Sequence, residues 1–358
     1  MHPSFFDSHS LRVIQAPMAG SQNHVLAAAV FNAGGFGSIP AAMLSADQLQ
    51  TELSNFQSIN PGSQNWAAHW GPHLPLNVNF FCHTPPAVNP HREVAWREKL
   101  SNVYREFDID PQTVGTGPGR APFSEESLAL MGHFKPAVVS FHFGLPRADW
   151  VQQLKFWGIQ VWSSATTVQE SIWLEHNGAD AIIAQGLEAG GHRGMFLSED
   201  LTTQVSSFAL LPQVVKAAKV PVIAAGGISN PSAVKAAKAL GASAVQAGTI
   251  YLTSHEATTS ALHRQALQSE AAEHTALTNL FSGRPARGIV NKFMRDFGPL
   301  NAAAPAFPLA TAAVAPLRAA AEAKGLADYS PLWSGQNASD CQALSAADIT
   351  HKLLQGWL

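Results

Sequence analysis

The sequence predicts an α/β protein built as a closed (β/α)8 barrel with a C-terminal helical cap. Two observations carry that expectation. Short β-branched or apolar runs alternate eight times with helix-like segments, as a parallel sheet with crossover helices requires. Glycine-rich turns then follow the sixth, seventh and eighth runs, where such barrels place ligand-binding loops.

The elements can be justified in chain order. Val13 and Ile14 make residues 12–15 the first strand, followed by Ala16-Pro17-Met18-Ala19-Gly20 and a helix over 23–33. Residues 36–39 form the second strand, with a helix over 46–56. A long connection rich in tryptophan and proline leads to the third strand, 76–80, whose helix is expected over 93–107. The Ala-Val-Val-Ser run makes 137–140 the fourth strand, before a helix over 147–156. Residues 160–163 and 181–184 are the fifth and sixth strands, with helices over 168–177 and 208–218. Residues 220–224 and 244–247 complete the set, separated by a helix over 231–240 that starts on proline. An open doubly wound sheet has fewer strands and carries its nucleotide fingerprint after the first one, where Ala16-Pro17-Met18-Ala19-Gly20 stands instead.

About 110 residues follow the eighth strand, too many for one closing helix. They include a helix-like stretch at 256–272 and a proline-rich one at 299–316. The expected division is a barrel over 1–255, a helical cap and substrate segment over 256–345, and a helix over 346–358 returning to the barrel.

Composition narrows the function classes. Hydrophobic residues make up 46% and charged residues 13% of the chain, which describes a packed globular body. A net charge of −3 without a basic cluster argues against a nucleic-acid partner. No stretch reaches the roughly 18 apolar residues of a membrane span. The start of the chain lacks an export-signal pattern, and Cys82 and Cys341 are the two cysteines, so the expected compartment is the cytoplasm. The fifteen histidines are scattered, and the pair His69 and His73 brackets Gly71-Pro72; no metal site is expected. The Gly115-Thr116-Gly117-Pro118-Gly119 run has no strand before it and loses a donor at Pro118, so it is read as a flexible segment rather than a phosphate loop.

The strand ends carry the chemistry. The segment from Ala184 to Gly194 places four glycines in nine residues around His192. Glycine permits close backbone approach, and imidazole is the common acid/base group near neutrality. Gly226-Gly227 and Gly248-Thr249 follow the seventh and eighth strands, the usual phosphate-holding positions. Asn79 and Gln185 end strands with amides suited to the edge of a polar ring.

At this point the chain resembles the class I nitronate monooxygenases, once called 2-nitropropane dioxygenases. The matching segments are Gln15 to Gly20, Asn77 to Phe81, Ser140 to Gly144, Ala184 to Gly194, Ala224 to Ile228, Gln246 to Thr249 and Ser330 to Gln336. The resemblance implies a cytoplasmic flavoprotein of detoxification that binds FMN without a covalent bond. Ala16, Pro17 and Met18 would lie along the ring, and Asn79 and Gln185 near its polar edge. Gly190 and Gly191 would allow close approach, and Gly226, Gly227, Gly248 and Thr249 would hold the phosphate. Gln246 and Ala247 share that segment, and Trp333, Gly335 and Gln336 would complete the pocket. His192 would be catalytic and His142 a candidate substrate or loop-orienting residue. The implied reaction takes an alkyl nitronate and O2 to a carbonyl compound and nitrite. Propionate 3-nitronate is one candidate substrate, which a cap cation such as Lys292 or Arg295 would favour. An FMN-dependent NAD(P)H reductase of quinones or enoyl thioesters, and a flavin- or phosphate-binding barrel without turnover, are the alternatives. Oligomeric state is left open.

Overall fold

The computed structural model describes residues 5–59, 70–87, 89–115 and 120–358. Residues 116–119 of the glycine-proline run, and His69 of the histidine pair, lie outside the described residues.

The eight expected strands form one parallel sheet. They are β1 (Val13–Gln15), β2 (Ser38–Pro40), β3 (Leu74–Phe81), β4 (Pro136–His142), β5 (Gln160–Ala165), β6 (Ala181–Gln185), β8 (Val222–Ala225) and β9 (Ala244–Ala247). β7 (Gly191–His192), β10 (Thr275–Thr278) and β11 (Ala286–Ile289) make a second, antiparallel sheet. The parallel strands run in the order β1-β9-β8-β6-β5-β4-β3-β2. The ring closes where β1 meets the residue before β2: the Gln15 N–H donates to the Phe36 carbonyl (2.9 Å), and the Phe36 N–H to that of Val13 (2.8 Å). The sheet is therefore a barrel, as the alternation of runs predicts.

Aromatic side chains seal the end from which the strands start. Phe6, on a short N-terminal helix (Phe5–Ser8), stacks on the buried Trp162 at 5.3 Å, and Trp70 stacks on Phe36 at 5.4 Å. The opposite end, toward which every strand runs, carries the connecting loops.

Two expectations are corrected by the packing. The helix expected over 93–107 breaks at Leu100 into Pro90–Lys99 and Ser101–Glu106, and it does not cover the barrel. Trp96, Val103 and Tyr104 instead bury against Phe293, Leu317 and Tyr329 of the C-terminal segment. The helix that covers the sheet after β3 is Glu125–Phe134, which packs beside Ala46–Ile59 and Ala148–Phe156. Helical periodicity reports an apolar face but not which layer that face meets.

The second correction lies within the C-terminal segment, which is helical as expected but also carries strands. It contains helices Ala261–Leu267, Lys292–Phe297 and Ala310–Ala323, together with the β10–β11 hairpin. The helix expected over 256–272 is shortened to Ala261–Leu267 and a 3-10 turn, Glu270–Glu273. The outer ring is completed by Ala346–Gln355, which lies between His24–Asn32 and Pro231–Ala239. Among the described residues no helix is long and apolar enough to cross a membrane.

Close packing between sheet and helix makes one glycine indispensable. A Cβ at Gly37 would stand 2.2 Å from the Ala27 carbonyl oxygen in helix His24–Asn32. Gly37→Ala is expected to cost at least about 2 kcal/mol, because backbone on both sides has to move. Urea denaturation should show a lower midpoint, and an unchanged midpoint would contradict the packing described.

Candidate active site

The strand ends converge on a cleft with about 1350 Å³ of open space, mouth included, large enough for a cofactor and a small substrate. Its wall is built loop by loop. After β1, Ala16, Pro17 and Met18 are fixed by an amide pair: Gln22 Oε1 accepts from the Met18 N–H (2.7 Å) and from Gln15 Nε2 (2.7 Å). Asn79 at the end of β3 donates through Nδ2 to Ser140 Oγ (2.9 Å), leaving Oδ1 for a ligand.

The loop after β6 is clamped from three directions. Gln185 Nε2 donates to the His192 carbonyl (2.9 Å), and its Oε1 accepts from the Gly194 N–H (2.8 Å). His142 Nε2 donates to the same His192 carbonyl (3.0 Å), while its Nδ1 meets Ser164 Oγ (3.0 Å). Arg193 is 0% exposed and points away from the cleft, donating to the carbonyls of Gln185 (2.8 Å) and Gly186 (2.7 Å) and to Gln204 Oε1 (3.0 Å). Gly191 and His192 then pair with Arg287 and Ala286 of β11. Gln185 thus spends its amide on this loop, and His142 orients it.

His192 Nε2 lies 2.9 Å from Ser282 Oγ, which in turn is 3.3 Å from the Arg284 carbonyl. The ring stands among Phe307 (5.3 Å), Trp333 (5.7 Å), Phe81 (5.9 Å) and Phe143 (6.1 Å). Burial, then the nearby Arg120, His142, Arg284 and His83, push its pKa well below the usual 6.5. Burial likewise lowers His142 and His263 to about 4. The imidazoles on the wall are therefore neutral near neutral pH.

The glycine turns after β8 and β9 present spare donors. Gly226 and Gly227 hold φ of +113° and +73°, which side chains resist. The N–H groups of Gly227, Gly248 and Thr249 donate to no acceptor among the described residues. The helix N-terminus after β8 is not among these donors: Asn230 caps it, and Asp340 binds Ser229 Oγ and Asn230 Nδ2, both at 2.9 Å. Gln246 Oε1 is buried without a partner among the described residues. These unspent groups fit a phosphorylated, ring-bearing ligand.

The C-terminal segment closes over both glycine loops. The Gly335 N–H donates to Thr249 Oγ1 (2.9 Å), that of Gln336 to the Glu188 carbonyl (2.9 Å), and Asn337 Nδ2 to the Gly227 carbonyl (3.1 Å). A Cβ on Gly190 would meet Ser334 and Gly335 backbone at 2.6 Å, so this glycine accommodates the chain's own tail. Gly191 has open space on its Cα side.

Ala16, Pro17, Met18, Asn79, His142, Gln185, Gly190, Gly191, His192, Gly226, Gly227, Gln246, Ala247, Gly248, Thr249, Trp333 and Gly335 all line the cleft. Gln336 does not; it is exposed, and its neighbour Asn337 takes the wall position. Lys292 pairs with Asp296 on the surface and Arg295 is exposed, so neither expected cation reaches the cleft. Arg120 and His263 line it without having been singled out, beside Ser164 at the end of β5. Arg120 follows a glycine-proline run that carries no periodic signal, and Ser282, beside His192, sits in a hairpin turn equally silent in sequence.

Two consequences can be measured. Arg193→Met leaves two buried acceptors, the Gln185 carbonyl and Gln204 Oε1, without a donor among the described residues, and a loss of about 2–4 kcal/mol is expected in chemical denaturation. The depressed histidines give a pH dependence: below 6.5 the unfolded chain takes up protons that folded His83, His142 and His263, held at about 4, refuse. Stability should therefore fall as pH drops from about 6.5 toward about 4, with a shallower fall in His263→Gln. A Tm independent of pH across that window would show that these rings titrate normally.

The family described as nitronate monooxygenase matches residues 6–356. A nitronate monooxygenase of Paraburkholderia phytofirmans is 38% identical over 357 residues, covering 95% of this chain and 90% of its own length. One of Pseudomonas aeruginosa is 38% identical, covering 96% and 95%. Among solved structures, nitroalkane oxidase from Streptomyces ansochromogenes superposes with a TM-score of 0.85 at 34% identity, over 96% of this chain and 94% of that one. FabK from Thermotoga maritima, at 23% identity and a TM-score of 0.67, covering 98% and 94%, shares the fold.

Proposed function

The chain belongs to the nitronate monooxygenase family, and from that premise we propose that it oxidises alkyl nitronates over FMN held in the barrel-mouth cleft. The products are a carbonyl compound and nitrite, with O2 as co-substrate. The observation that supports the reading most directly is that unspent backbone N–H groups and a neutral imidazole open onto one cleft.

In this reading Gly227, Gly248 and Thr249 hold the phosphate through N–H groups that no acceptor among the described residues occupies. Ala16, Pro17 and Met18 support the flavin ring, and Asn79 Oδ1 and Gln246 Oε1 accept from its polar edge. Gly191 gives it room, and Trp333 and Gly335 close the pocket, with Asn337 in place of Gln336. When bound there, FMN supplies the one-electron chemistry. The unit boundaries are part of the same reading: barrel over 1–255, cap over 256–345 and closing helix over 346–358, with Pro90–Glu106 packed into the cap core.

His192 handles the proton. With the Ser282 hydroxyl directed to the Arg284 carbonyl, Nε2–H donates to Ser282 Oγ and Nδ1 keeps its lone pair. A neutral imidazole in this aromatic box can take the α-proton of a neutral nitroalkane at Nδ1. His142 positions His192 through the shared carbonyl contact and does not reach the reacting atoms through that nitrogen. The aromatic walls exclude water and receive the alkyl chain.

The purified chain is expected to be yellow and to release nitrite from a simple nitronate under air. His192→Asn should lower turnover of a neutral nitroalkane by about 100-fold or more, while a preformed nitronate, already deprotonated, is affected less. Rapid bleaching by NADH without nitrite release would support the reductase reading instead. Binding of flavin without any turnover would support the non-catalytic one.

A further inference from the structure

We propose that Arg120 recognises the negative charge of the substrate, through a charge-assisted contact with the nitronate head group at the aromatic end of the cleft. The proposal rests on the nitronate reading above.

An anionic substrate entering a largely apolar box needs a compensating charge. The cleft wall holds no aspartate, glutamate or lysine, and Arg120 is its one charged side chain among the described residues. His142, His192 and His263 lie neutral there and cannot serve. The Arg120 guanidinium sits over the Phe307 ring at 5.8 Å, and that ring stands 5.3 Å from His192. The cation and the imidazole thus share one aromatic neighbour.

The guanidinium is also unspent. It has five N–H donors, and its one hydrogen bond among the described residues is a long one, from Nη1 to Thr311 Oγ1 at 3.5 Å. No carboxylate pairs with it, and none of the residues outside the description is acidic. Its charged neighbour Arg318 repels it. The other guanidinium of this region, Arg284, lies 4.1 Å over Phe143 and donates to the Met195 carbonyl, so it is already engaged. A planar nitronate offers two oxygens side by side, which matches the guanidinium fork as a carboxylate does.

The test uses the FMN-loaded enzyme, so that the phosphate site is filled, and nitrate as a planar anionic probe. In the parent enzyme nitrate should bind by calorimetry and compete with propyl 2-nitronate; no competition overturns the proposal without any variant. In Arg120→Gln, with flavin content and Tm retained, nitrate affinity should fall and the KM for the nitronate should rise by about 10- to 100-fold. The KM for neutral 2-nitropropane should change little, and Arg120→Lys should recover part of the loss. Equal nitrate affinity in Arg120→Gln and the parent overturns the assignment. A parent enzyme that releases no nitrite from the nitronate would instead refute the functional reading, while the nitrate comparison still decides the role of Arg120.

Discussion

The fixed backbone between Gln185 and Gly194 is the constraint on which the site depends. A glycine-rich loop gains little from its own side chains and pays a large conformational entropy to become ordered. Here the ordering comes from outside the loop. Gln185 and His142 grip the His192 carbonyl, and β11 pairs with its strand. Buried Arg193 satisfies the Gln185 carbonyl, which has no other donor among the described residues, and braces that of Gly186. The result places the His192 ring by backbone geometry, so its direction into the aromatic box does not rest on its single side-chain bond to Ser282.

This arrangement also explains the electrostatics. A wall without carboxylates among the described residues, with neutral imidazoles and spare N–H donors, lowers the cost of negative charge without offering a counter-base that would compete for protons. The glycine end supplies partial positive charge from peptide dipoles, suited to a phosphate that stays in place. At the aromatic end the full charge of Arg120 suits a smaller anion that must arrive and leave. His192 lies beside that second end, where desolvation keeps it unprotonated and therefore able to accept a proton.

The barrel strands were legible because most of their residues are buried on both faces, so that each contains a short β-branched or apolar run, Ala-Ile-Ile-Ala of β6 being the clearest. The glycine turns were legible because positive φ and close approach leave few alternatives to glycine. What escaped was decided by tertiary contact. Thr275–Thr278 shows no apolar alternation, since β10 is held by its pairing with β11. The helical character of 93–107 was visible, but its apolar residues face Phe293 and Tyr329 instead of the sheet, and periodicity cannot distinguish the two surfaces. Gln336 stood in the right motif, but the turn after Gly335 directs its side chain outward and brings in Asn337.

Chain connectivity gives the cap a role beyond covering the mouth. The eighth outer helix, Ala346–Gln355, reaches its place between the first and seventh barrel helices only after the chain has passed through the whole cap. That passage lays β11 against Gly191–His192, supplies Ser282 to the His192 ring, and ties Gly335 and Asn337 to the turns after β9 and β8. Closing the barrel and completing the site are therefore one event. A barrel that lacked the cap would lose its last helix along with the partners that hold the imidazole, so the fold couples its own completion to the geometry its chemistry requires.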